Sequence, residues 1–229
     1  MYQEHRPDIV KRIRGLLGVF LCMAIYLLWF MMLERKVTND YHIIHVGLDD
    51  YIPFCEYFII PYLLWFVYVA GVWAYFWVRD WDTFSRMSRY LFGGMFASLF
   101  ICSIYPNGTD LRPVIDTDAN VFTALCGLIW SADTPTNVLP SVHVFNSIGI
   151  HTAILRSART RDNRLVTTLS LIMCVSICLS TVFLKQHSCA DVLAAGLLSY
   201  AMYGLVYEPE PAVPQRERFR RPLPGRSED

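Results

Sequence analysis

The sequence predicts an all-α membrane protein with six transmembrane helices, and three observations predict it. Of its 229 residues, 54% are hydrophobic, more than a soluble domain of this length needs. The apolar residues gather into runs long enough to cross a bilayer, which takes roughly 20 helical residues for ~30 Å of hydrocarbon. Lys and Arg also crowd alternate loops, as the positive-inside bias of membrane proteins requires.

Taken in order, the first span is Gly15 to Leu33, preceded by Arg6, Lys11, Arg12 and Arg14. It is too long for a cleavable signal, and no small-residue cleavage site follows it. Residues Tyr41 to Cys55, with Asp49, Asp50 and Pro53, suit a short interfacial element. The second span, Tyr57 to Val78, carries Trp and Tyr at both ends as interface anchors. The third is Tyr90 to Ile104. Val121 to Trp130 is apolar but too short to cross, so it is expected to lie along the interface or re-enter. Leu165 to Leu184 and Asp191 to Tyr207 make the fifth and sixth spans. From Glu208 onward the chain is rich in Pro and Arg and reads as a disordered cytoplasmic tail resting on anionic lipid. Residues 1–207 are thus one membrane domain, followed by the tail at 208–229.

The fourth span is decided by charge. Ser141 to Leu155 contains His143, Asn146, Ser147, His151 and Thr152, and hydropathy alone scores it poorly. With six spans and a cytoplasmic N-terminus, only Arg35, Lys36, Arg112 and Lys185 fall outside. Removing the fourth span moves the Arg156–Arg164 loop and the tail outside and reverses the bias. Six spans satisfy the rule, and both termini are then cytoplasmic.

Composition excludes several classes of function. The 20 basic and 20 acidic residues balance overall, which says nothing of local charge. No nucleic-acid partner is expected. Seven cysteines without paired spacing argue against a disulfide framework, and no Cys-x-x-Cys or zinc-type spacing occurs. Cys174 and Cys178 read as small apolar residues on one helix face. Neither metal nor cofactor is expected.

Polar residues at membrane depth are costly and by default mark function. In the six-span arrangement Arg112, His143, His187 and Asp191 all fall at the non-cytoplasmic ends of helices. His187 and Asp191 are spaced i, i+4, so they share a face if the sixth helix begins near His187. A carboxylate beside an imidazole fixes its tautomer, which suits a histidine nucleophile or base; a helix cap is the plainer alternative. Pro140-Ser141 resembles a helix start with Ser141 near the N-cap, and free N–H groups there form an anion site. Arg112 adds a forked donor matched to phosphate oxygens. Two histidines, an aspartate, an arginine and a helix N-terminus are what phosphoryl transfer through a phosphohistidine needs. His42 and His45, near Asp49 and Asp50, are placed to touch headgroups or a metal, though a solvated loop explains them too, and His151 fits a hydrogen bond to a neighbouring helix.

These residues resemble the signature of the type-2 phosphatidic acid phosphatase superfamily. Its three parts are Lys-x6-Arg-Pro, Pro-Ser-Gly-His and Ser-Arg-x5-His-x3-Asp. Here they read Tyr105-x6-Arg112-Pro113, Pro140-Ser141-Val142-His143 and Ser180-Thr181-x5-His187-x3-Asp191. The likeness covers roughly Tyr90 to Tyr207 and implies that superfamily's helical bundle. It implies a metal-independent enzyme acting on a membrane lipid phosphate. His187 would be the nucleophile, Asp191 its orienting partner, His143 the general acid, and Arg112 and Ser141 phosphate ligands.

The departures carry information too. Tyr105 stands for the lysine, Val142 for the glycine and Thr181 for the arginine, so two of three cationic ligands are absent. Lys185 is a candidate replacement charge, or else a snorkelling interface residue. Tyr105 offers one neutral hydrogen bond, or serves as an aromatic anchor. A reduced cation set resembles the branch of inositol phosphorylceramide and sphingomyelin synthases, which pass a phospho-headgroup to a lipid alcohol. Hydrolysis, transfer and a non-catalytic protein on the same fold are therefore the three readings.

Overall fold

The computed structural model describes residues 9–37 and 40–207. The expected tail lies outside them, as does Arg6. Seven α-helices follow one another: α1 (Ile9–Lys36), α2 (Ile59–Arg79), α3 (Trp81–Ile104), α4 (Val121–Ala132), α5 (Val142–Arg156), α6 (Arg164–Phe183) and α7 (Cys189–Val206). Two-residue strands β1 (His42–Ile43) and β2 (Asn107–Gly108) pair in parallel.

Helix starts fall where a side chain can satisfy the first free N–H groups. Asp80 accepts from Thr83 N–H at the head of α3, Asn120 caps α4, Ser141 caps α5, Asn163 caps α6 and Ser188 caps α7. The cap at Asp80 explains why α3 begins well before Tyr90. Its polar first turns are helical, but they are invisible to hydropathy.

Five helical stretches are long and apolar enough to cross a membrane: Ile9–Lys36, Glu56–Arg79, Trp81–Ile104, Arg164–Phe183 and Cys189–Val206. Large apolar side chains such as Leu17, Phe20, Met32, Phe66 and Val67 stand exposed on α1 and α2. So much exposed apolar surface is the mark of an integral membrane protein. The remaining expected span, α5, has 15 residues. At 1.5 Å per residue it is ~22 Å long, short of the ~30 Å hydrocarbon core.

Packing explains why α5 is polar. It lies against α2, α3, α6 and α7, and Val144, Phe145, Asn146, Ser147, Ile150 and Ala153 are all buried. A helix surrounded by helices need not satisfy lipid, so serine and asparagine are tolerated there. Tyr90 and Phe145 stack at 5.0 Å between α3 and α5. Gly94 makes room for that ring, since a Cβ there would sit 1.9 Å from Phe145 Cζ. His151 reaches Ser170 of α6 at 2.9 Å, and Tyr68 of α2 reaches the same hydroxyl at 2.7 Å. That helix-to-helix bond is the role expected of His151. All seven cysteines are free.

The C-terminal ends of α1, α3 and α6 meet the N-terminal ends of α2, α5 and α7. Trp29 donates to Ser103 between α1 and α3, Cys55 N–H donates to Phe183 O before α2, and Ser141 N–H donates to Asp191 O. The 41–55 segment crosses this end of the bundle, pairing at His42 with Asn107. The 12-residue α4 packs beside the start of α2.

Candidate active site

The site is built first from a tight turn between α6 and α7. Lys185 adopts φ 55°, a left-handed conformation that is costly for a residue with a Cβ. Gln186 and His187 N–H groups then both donate to Thr181 O at 3.0 Å. Ser188 is the N-cap of α7, and Asp191, three residues on, accepts from Ser188 N–H at 2.9 Å. This reciprocal capping box turns the Asp191 carboxylate back toward the turn. His187 Nδ1 lies 3.2 Å from the same Asp191 oxygen.

The pair therefore forms differently from the sequence expectation. The helix begins at Cys189, and His187 precedes it rather than sharing its face. A carboxylate only accepts, so Nδ1–H donates to it, and in the neutral imidazole Nε2 then keeps the lone pair. A capping interaction thus also orients the imidazole.

A second carboxylate holds the turn from the other side. Asp49 is buried and accepts from Ser188 Oγ at 2.6 Å, Cys189 N–H at 2.8 Å and Val46 N–H at 2.9 Å. Burial pushes its pKa up, but these three donors outweigh burial and hold it below the ordinary value. Lys185 Nζ donates to Asp49 O at 2.7 Å. At least one of its three N–H donors is thus held by a backbone carbonyl.

His143 comes from the first turn of α5. Asn107 positions the approach to that helix, taking Val138 and Leu139 N–H groups at 2.9 Å each. The His143 ring rests on Tyr62 at 4.7 Å and Trp65 at 4.5 Å, and its centroid is 6.0 Å from that of His187. Both rings line a cavity of about 520 Å³. Its polar lining includes Gln186, Asp133, Thr134, Thr136 and Asn137. Its apolar lining includes Tyr26 and Phe30 of α1, Trp65 and Trp73 of α2, and Met95 and Leu99 of α3. Burial and the neighbouring Glu34 raise the pKa of Asp133, while Arg112 and His187 act against them.

The remaining sequence candidates do not line the cavity. Arg112 donates to Trp130 O, Asp133 O, Thr134 O and Gln186 Oε1, cross-bracing the loop after α4. Ser141 is fully buried and accepts from Val144 N–H at 3.4 Å. Tyr105 stacks on His42 with centroids 4.3 Å apart. The structure brings His143, His187 and Asp191 together, and sets Lys185 and Tyr105 to other partners.

Sequence reasoning missed Gln186 and passed over Asp49 and Asn107. Adjacency to His187 was the available signal for Gln186; Asp49 and Asn107 carried none at local range. Among the described residues, no group of three or more His, Cys, Asp or Glu side chains is arranged to hold a metal ion. Comparisons with protein-family models, with curated proteins and with solved structures return no match.

Proposed function

We propose that the chain is a membrane phosphoesterase that hydrolyses a lipid phosphate or lipid pyrophosphate through a phosphohistidine. One observation carries the reading: a histidine oriented by a buried aspartate and a second histidine close to it line one largely apolar cavity. The likeness of the spaced motifs to the type-2 phosphatidic acid phosphatases supports it.

In this reading a lipid chain occupies the apolar length of the cavity and its phosphate reaches the histidines. His187 Nε2 attacks phosphorus, forming the N–P bond as the ester P–O bond breaks. Asp191 stabilises the imidazolium that develops. His143 gives its proton to the leaving oxygen, then takes one from the water that releases phosphate. Ring centroids 6.0 Å apart allow both imidazoles to touch one phosphoryl group.

The same cavity also seats a lipid alcohol, and an acceptor hydroxyl in place of water gives headgroup transfer instead. With α5 counted as the fourth of six crossings, both termini are cytoplasmic and the site faces the other side.

Phosphate release from phosphatidate vesicles tests this. His187→Ala abolishes release, and His143→Ala lowers it by about 10²–10⁴-fold, the usual share of a general acid. Retained activity in both variants rejects the reading. Label from the headgroup appearing on an added diacylglycerol identifies transfer.

A further inference from the structure

The side chain of Gln186 is almost fully buried, yet it borders the cavity beside His187. Its Oε1 accepts from Arg112, while its Nε2 has no partner among the described residues. The amide's orientation follows from chemistry, because a guanidinium has only donors and the oxygen must face it. The NH₂ group is thereby turned away from Arg112. A buried amide N–H without a partner is costly in a folded protein, and such a group needs a reason.

We infer that Gln186 is a phosphate ligand: its Nε2–H donates to a non-bridging oxygen of the phosphoryl group under attack by His187. This rests on the phosphohistidine reading above. Arg112 acts behind it. Four carbonyl oxygens occupy its terminal nitrogens, and its positive charge reaches the cavity by polarising the amide. Among the described residues, only its Nε–H stays unpaired. The motif positions at Tyr105 and Thr181 lack cations. A neutral donor held by a buried guanidinium supplies part of what they omit. The amide gains and loses no proton in the reaction. It stabilises charge on the phosphoryl oxygens as the N–P bond forms and the P–O bond breaks.

Two variants of the full chain in detergent test this. Gln186→Glu keeps an oxygen against Arg112 and nearly the same volume but removes the N–H donor. Gln186→Met removes the donor without adding charge. Both are expected to lower kcat for phosphatidate by about 10²–10³-fold, the usual effect of losing one oriented donor. KM should stay within about threefold, and the melting temperature of Gln186→Glu should be unchanged. Orthovanadate, as a pentavalent mimic of the phosphoryl group, should bind both variants at least tenfold more weakly in direct titration. If both variants keep wild-type turnover and vanadate affinity while His187→Ala is inactive, Gln186 is not a ligand and the phosphohistidine reading stands. If His187→Ala also keeps full activity, that reading falls and takes this inference with it. Because vanadate binding needs no turnover, equal affinity in wild type and Gln186→Met overturns the assignment by itself.

Discussion

At the scale of the residue, Asp49 couples a surface segment to the candidate nucleophile. Its carboxylate takes three donors, two of them from Ser188 and Cys189. Replacing it by asparagine substitutes an NH₂ for one acceptor oxygen, so at least one donor at the head of α7 loses its partner. Asp49→Asn should cost about 1–3 kcal/mol of stability, as for a hydrogen bond to a charged group. It should also lower kcat more than it raises KM, since His187 rather than the cavity is disturbed. The pH dependence has a definite sign. The folded pKa of Asp49 lies below the ordinary value, so its contribution is complete at neutral pH and is lost as pH falls through that depressed pKa. The gap in melting temperature between wild type and Asp49→Asn should be constant from about pH 6 to 8 and close below roughly pH 4. A gap that persisted in acid would show that the charge is not what matters.

These residue contacts also explain what could be read early. His187 and Asp191 lie four apart and meet through a local capping box, so spacing revealed them. Gln186 meets Arg112 across 74 positions and Asp49 meets Ser188 across 139. No local pattern encodes such pairs. The bond from Lys185 to Asp49 O spans 136 positions and is equally hidden from local pattern.

At the scale of the element, the segment before α2 does more than join two helices. β1 pairs with β2, and beyond it His45 bridges Asp50 and Asp110 at 2.9 Å each. Hydrogen bonds to those two carboxylates raise the His45 pKa. A histidine shifted upward stabilises the fold fully below its unfolded value, and loses that contribution as pH rises through the folded one. His45→Gln should therefore lower the melting temperature near pH 6 and have little effect near pH 9. An equal effect at both would mean that protonation plays no part. The same scale accounts for α5. Its hydropathy is low because it is enclosed by four helices, a fact of packing that hydropathy cannot register. Helix boundaries depend on caps such as Asp80, whose side chain extends α3 beyond its apolar run.

For the whole molecule, the deciding feature is one cavity with both polar and apolar lining. Its apolar lining comes largely from α1, α2 and α3, and its polar lining from the loop after α4, the start of α5 and the turn before α7. Ala70 is a small side chain in the α2 wall. In the proposed reaction, Ala70→Trp should obstruct the lipid chain but leave the histidines untouched. Turnover of long-chain phosphatidate should fall at least tenfold, while that of a short, soluble phosphate ester stays within about twofold. Equal losses on both substrates would place the lipid chain elsewhere.

By itself the sequence determined the helical membrane class, the order of the helices and the spacing of His143, His187 and Asp191. These depend on apolar run length and on contacts within one turn. Tertiary structure alone decided which polar groups share the cavity. It committed Lys185 and Arg112 to carbonyl oxygens, freed the Gln186 amide, and placed Asp49 against the head of α7. The physical reason is that a buried donor or acceptor takes the partner that packing brings to it, and packing joins residues far apart in the chain.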